Sequence, residues 1–318
     1  MKRLPKLLQE RLEMIYSKPD LKILENGFKT QKRKTSFRVN YIKSNDTEVT
    51  DCLNIWKIAF TKLPFPEGAF VLDTDIESTL WKLPIYKHGK IYLQGVSSQI
   101  PVNFLDIQSW DRVLDVTAAP WGKTSQMSHW VWEDGSVIAC ERSLVRHEKM
   151  IYNLKKLGCS NVKPHHLDAR KLTWIYKEEE FDSVLLDAPC SSEGSINLEI
   201  SKTYSGWDIL HIKKNYSIQK NIFISIAPLL KKWGTFIYST CTIAPEENEG
   251  FVHFVLCNFP EYELVDIPEF EIPWVHVRPW LTSFGKNIYK KESKKCVRIL
   301  PSPETEWFFI ARFRKKEA

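Results

Sequence analysis

The spacing of hydrophobic positions changes character near residue 90. Ahead of that point, Leu4, Leu7, Leu8, Leu12 and Ile15 recur at helical spacing and predict an amphipathic opening helix. Residues 36–43 then alternate apolar and polar side chains, the pattern of a half-buried strand. Asp46 stands at a helix start that leads into an apolar run ending at Phe60, after which Pro64, Pro66 and Gly68 break the period. Short strands are expected at 69–72 and 90–93. Residues 1–90 thus read as a small α+β module without chemistry of its own.

Beyond residue 90 the rhythm is strand, turn, helix, repeated. Strands are expected at 112–116, 136–140, 161–167, 183–187 and 235–238, with a last one at 307–313. Helices are expected from Thr124, at 251–257, and over Leu144, His147, Met150, Ile151, Leu154 and Leu157, the last of these closing at Gly158. Such alternation implies an α/β architecture, a doubly wound sheet over residues 91–318 with a ligand pocket at the carboxyl edge of its strands.

Composition narrows the class. The 318 residues carry a net charge of +6 and 43% hydrophobic residues, an ordinary globular balance. No apolar run has the length of a membrane helix, and charges near the amino terminus interrupt any signal-peptide pattern. The expectation is a cytoplasmic protein without a membrane partner, acting as a monomer. Seven scattered cysteines with no C-x-x-C pair speak against a disulfide framework or structural zinc, and no metal is expected. Basic clusters at 29–34, 286–295 and 312–316, with aromatic residues near, suit an RNA partner without requiring one.

The chemistry concentrates in two cysteine turns, Asp187-Ala188-Pro189-Cys190 and Ser239-Thr240-Cys241-Thr242. A lone cysteine is ordinarily a small hydrophobe. These two differ because each follows an apolar run that reads as a buried parallel strand, which puts both thiols and Asp187 at one sheet edge. The turn Thr117-Ala118-Ala119-Pro120-Trp121-Gly122-Lys123 follows the first strand of the doubly wound region. It fails the phosphate-loop pattern, because position 117 is Thr where Gly is required, and it lacks G-x-G-x-x-G. Glu141 lies nineteen residues after Gly122, a spacing that suits a carboxylate on ribose hydroxyls. A nucleoside cofactor without a pyrophosphate cradle fits, and S-adenosylmethionine leads. Asp168, after the third strand of that region, is placed for the adenine edge, and Asp187 for the cofactor's methionine end or the substrate base.

These residues resemble the Sun-type RNA cytosine-C5 methyltransferases, a family that includes small-subunit ribosomal RNA enzymes. The resemblance rests on 114–124, on Asp187-Ala188-Pro189-Cys190-Ser191-Ser192-Glu193-Gly194, and on 238–249, with weaker support from 37–40, 93–99, Arg146 and 153–158. It implies a Rossmann-like S-adenosylmethionine-dependent methyltransferase domain preceded by an RNA-binding module. It further implies cofactor contacts from Thr117, Ala118, Ala119, Pro120, Trp121, Gly122, Lys123, Glu141, Asp168 and Asp187. Cys241 is implied as nucleophile, Cys190 as the thiol that aids product release, and Asp187 as a catalytic partner. One departure stands out: Trp121 replaces a usual Gly. Two other readings stay open: DNA cytosine methylation with Cys190 as nucleophile, and a non-catalytic RNA-binding factor with a degraded pocket.

Overall fold

The computed structural model describes residues 3–30, 33–73, 76–132 and 134–317. Two helices open the chain, α1 (Lys6–Ile15) and α2 (Lys18–Lys29). The spacing at 4–15 foretells the first but not the second. Ser17 caps α2 by accepting the Asp20 N–H, and Pro19 sits in the first turn, where a missing N–H does no harm.

The small module is a four-stranded antiparallel sheet of β1 (Ser36–Val39), β2 (Phe60–Lys62), β3 (Ala69–Leu72) and β4 (Ile91–Leu93), in the order β2-β3-β1-β4. Phe37, Val39, Phe70 and Leu72 bury one face together with Val49 and Leu53 of α3 (Asp46–Ile55). The opposite face is not open to water as the alternation at 36–43 implied. Ala69 and Val71 join the core of the large sheet, and all four residues of β1 are buried.

The large sheet contains β5 (Arg112–Asp115), β6 (Ser136–Glu141), β7 (Val162–His166), β8 (Phe181–Asp187) and β9 (Leu230–Thr240), all parallel. The strand order runs β9-β8-β5-β6-β7, so the chain reverses direction of travel at the β5/β8 boundary. Antiparallel strands extend it: β15 (Phe308–Lys315) pairs with β9, and β14 (Val297–Leu300) and β11 (His276–Pro279) follow, while β10 (Tyr262–Leu264) flanks β15. A two-residue ladder of β12 (Ser283–Phe284) and β13 (Asn287–Ile288) projects separately. The longer helices are α4 (Gly122–Trp130), α5 (Leu144–Leu157), α6 (Ile209–Ile226) and α7 (Glu249–Asn258). No helix among the described residues is long and apolar enough to cross a membrane.

Helices α1 and α2 pack on this large sheet, although the sequence reading grouped residues 1–30 with the small module. Leu8, Leu12, Tyr16, Leu24 and Phe28 share one core with Tyr238, Phe251 and Phe309. Helical spacing reports that a face is buried but not against what. The anchor is polar: the Tyr16 hydroxyl accepts from Trp307 Nε1 at 2.8 Å and from Arg298 at 3.2 Å. Arg298 in turn grips Glu249 through two nitrogens, and the two side chains are 1% and 0% exposed.

A buried pair of this kind resists the loss of one partner, because the survivor keeps its desolvation cost. Glu249→Ala is expected to lower stability by about 3–5 kcal/mol in urea denaturation at neutral pH. A loss under 1 kcal/mol would show that Arg298 finds another partner.

Candidate active site

The site forms where β5 and β8 end side by side. The Thr117 hydroxyl donates to the Asp187 carbonyl at 2.8 Å, tying the turn after β5 to the end of β8. The Ala118 N–H reaches the Cys140 carbonyl of β6 at 2.9 Å, and Arg146 of α5 donates to the Ala119 carbonyl at 2.6 Å. The small module closes the other side. The Tyr92 hydroxyl donates to the Pro120 carbonyl at 3.1 Å, and Arg38 donates to the Gly122 carbonyl at 3.1 Å and to Ser125 Oγ. Arg38 is 3% exposed and makes no ion pair among the described residues; burial brings it down to about 10. Its charge is instead spread over neutral acceptors, including Gln94 Oε1.

Between these parts lies a cavity of about 240 Å³. Thr117, Ala118, Ala119, Pro120, Gly122, Lys123 and Asp187, all among the residues for which the resemblance implies cofactor contact, line it. A Cβ on Gly122 would fall 2.9 Å from the Tyr92 ring, so only glycine lets α4 begin this close to the small module. Three of the expected contacts stand outside the lining. The Trp121 backbone has φ +68°, the left-handed region where glycine is at ease, and its indole packs among apolar residues of the core. Glu141 accepts the Ser143 N–H at 2.6 Å and lies 3.8 Å from Arg146. Asp168 accepts the backbone and guanidinium of Arg170, which holds its carboxyl down to about 2.

The cavity also gains residues that motif spacing left unassigned: Tyr92, Gln94 and Ser98 from the connection into the large domain, Asp115, and Glu306. Asp115, 1% exposed, accepts the Thr124 hydroxyl at 2.6 Å, and burial pushes it up to about 7. The run 93–99 supported the family resemblance, yet nothing in it identified pocket residues. Glu306 carried no signal, because it enters from the far end of the chain.

Asp187 is held on both oxygens. Lys123 Nζ donates to one at 2.6 Å and the Ser239 hydroxyl to the other at 2.7 Å, and Lys123 also reaches Ser98 Oγ at 2.8 Å. Beside them the two thiols meet: Cys190 Sγ and Cys241 Sγ are 3.4 Å apart, both half-buried, and no disulfide joins them. The Cys190 thiol, donating to Cys241, is driven above the ordinary thiol range, and the same bond draws Cys241 below it. Gly194 sits against this pair, its N–H donating to the Cys241 carbonyl at 2.7 Å. Of the other cysteines, Cys140, Cys159 and Cys296 are buried, Cys52 is half-buried and Cys257 exposed, and burial pushes Cys140 up to about 12. Among the described residues no group of three or more ligating side chains could hold a metal.

Small walls, backbone carbonyls and a carboxylate pair suit a nucleoside carrying a positive charge, and the adjoining thiols suit attack on a base. Residues 102–314 match the family described as 16S rRNA methyltransferase RsmB/F. The chain belongs to this family. It is 32% identical over 283 residues to the tRNA (cytosine(49)-C(5))-methyltransferase of Pyrococcus abyssi, covering 88% of each chain. With ribosomal RNA small subunit methyltransferase F of Klebsiella pneumoniae it shares 30% identity, over 89% of this chain but only 57% of that one. Among solved structures, a methyltransferase homolog from Pyrococcus horikoshii superposes with a TM-score of 0.78 at 29% identity, covering 98% of this chain and 99% of that one. NSun6 from the same organism, solved with SFG, gives a TM-score of 0.80 at 22% identity over 99% of both chains and speaks to the fold. The fold is therefore that of the Rossmann-like methyltransferases, the chain is an RNA methyltransferase, and its cofactor is S-adenosylmethionine.

Because the Trp121 indole stands clear of the cavity, Trp121→Gly is expected to leave S-adenosylmethionine affinity within about threefold of the parent, a change under 1 kcal/mol. Isothermal titration measures it directly. A tenfold gain would mean that the indole obstructs the loop.

Proposed function

We propose that this enzyme methylates C5 of cytosine in RNA through a covalent adduct between Cys241 and C6 of the base. The single observation that carries the reading is the 3.4 Å approach of Cys190 to Cys241 beside the Lys123–Asp187 pair that lines the cavity. When bound, S-adenosylmethionine supplies an electrophilic methyl group. Thr117, Ala118, Ala119, Pro120, Gly122, Lys123, Asp115 and Asp187, which line the cavity, would hold it, while Glu141 and Asp168 stand outside that lining.

The chain's own groups account for the rest. Carbon 5 of cytosine is a weak nucleophile until a thiolate adds at C6 and pushes electron density toward it. Cys241 is the thiol suited to this role, because a neighbouring S–H stabilises its anion. Asp187, oriented by Lys123 and Ser239, faces the ring edge and stabilises charge that gathers there. After methylation the C5 proton passes to water, its bonding pair restores the C5–C6 double bond, and Cys241 departs with the electrons of the C6–S bond. Cys190, already within hydrogen-bonding reach of that sulfur, supplies a proton to it.

The target base must leave its stack to reach the thiols, which favours loops or transiently unpaired segments. The substrate is a structured RNA, ribosomal or transfer; the relatives carry both names. The small module and the basic residues Arg33 and Lys34, which pair with Glu306 and Glu304, form the RNA side of the enzyme. Gln31 and Lys32 of the 29–34 cluster lie outside the described residues.

Cys241→Ala is expected to abolish methyl transfer to RNA and to leave no adduct. Cys190→Ala is expected to accumulate a protein–RNA complex that survives a denaturing gel. Normal turnover by Cys241→Ala would overturn the covalent reading. Transfer to a matched DNA in preference to RNA would overturn the substrate class.

A further inference from the structure

Two glutamates that touch neither cavity nor thiol cross-brace the cysteine loops. Glu193 belongs to the Cys190 loop, yet its carboxylate accepts from the Cys241 loop: the Thr242 hydroxyl at 3.2 Å and the Ile243 N–H at 3.1 Å. Glu247 belongs to the Cys241 loop, and its carboxyl accepts from the Cys190 loop: the Ser191 N–H at 3.2 Å and the Ser191 hydroxyl. Each loop thus lends an acid to the other. The arrangement is closed by Ser191 Oγ and Thr242 Oγ1 at 2.6 Å.

Both acids are anchored from behind. Trp207 Nε1 donates to Glu193 at 2.6 Å, and Gln219 Nε2 of α6 donates to Glu247 at 2.8 Å and to the Pro189 carbonyl at 2.9 Å. Glu193 and Glu247 are 3% and 0% exposed. A buried carboxyl group is costly to desolvate, and among the described residues the hydrogen bonds to these two carboxyl groups come from the two loops and from the groups that back them. Packing alone would have been served by apolar side chains.

We propose that Glu193 and Glu247 are positioning residues that set the spacing of the two thiols and so keep the sulfurs of Cys190 and Cys241 within hydrogen-bonding reach of each other. Neither acid touches the substrate. The brace acts through Ser191, next to Cys190, and Thr242, next to Cys241, so a change at either acid displaces one sulfur relative to the other. This inference rests on the covalent reading for its catalytic meaning, but its geometry is testable without any RNA.

The experiment measures alkylation of Cys241 by iodoacetamide against pH, mapped by mass spectrometry, in the full chain. Wild-type Cys241 is expected to react with a midpoint below that of an ordinary thiol, which is near 8.5. Glu247→Ala and the milder Glu247→Asp are expected to move that midpoint up by about one unit, a tenfold slower reaction below it, and to cut kcat with KM little changed. Glu247→Gln, which keeps an acceptor for Ser191, is expected to recover most of both, and Glu193→Gln likewise at its own site. Titration of S-adenosylmethionine serves as the folding control. An unchanged midpoint in Glu247→Ala and Glu247→Asp overturns the proposal. Loss of cofactor binding in both also overturns it, since the acid would then be a support of the fold. Neither result bears on the covalent reading, which stands or falls with Cys241→Ala.

Discussion

The active site depends on one parallel pairing, β8 against β9, in which Asp187 lies opposite Ser239. Side chains on adjacent parallel strands share a face only when the register is right, and a slip of one residue would turn one of the pair away. With this register the Ser239 hydroxyl meets the Asp187 carboxylate, and the two chains leave the sheet together. Cys190 comes three residues after one strand end and Cys241 one residue after the other, so both turns spill over the same edge. The long apolar run of β8, with Val184, Leu185 and Leu186 fully buried, is what holds the register.

The small sheet is joined to this edge by a polar device set in an apolar contact. Ala69 and Val71 supply the packing, and Arg38 supplies direction by reaching the first carbonyl of α4. A guanidinium with no carboxylate partner among the described residues is unusual in such a dry place. It is tolerated because five donors find several neutral oxygens in fixed positions. The module that is expected to meet RNA is therefore fastened to the loop that is expected to meet the cofactor.

Much of this was legible in the chain. The parallel core strands, the turn at 117–123 and the two cysteine turns all follow from local period and composition, because fully buried strands and tight turns leave local signatures. The destination of α1 and α2 was not legible, since an amphipathic stripe does not say which core receives it. The solvent face expected on β1 failed for a related reason: a strand buried between two layers can carry Arg38 inward when acceptors await it. Glu306 and Tyr92 were invisible as pocket residues because they come from distant parts of the chain and meet the loop only in space, whereas Asp115, inside the 114–124 run, read only as the buried end of a strand. Trp121 shows the reverse case, in which a residue flagged by motif keeps glycine's backbone shape but sends its side chain elsewhere.

Gly194 marks a point where three parts of the chain meet closely. A methyl group there would lie 2.6 Å from the Cys241 carbonyl oxygen and 2.8 Å from that of Trp307, both backbone atoms that cannot rotate aside. Its φ is not in the left-handed region, so conformation alone would permit alanine. Bulk is the sole objection. Any variant that keeps these two sulfurs adjacent is therefore confined to the smallest residue at this point.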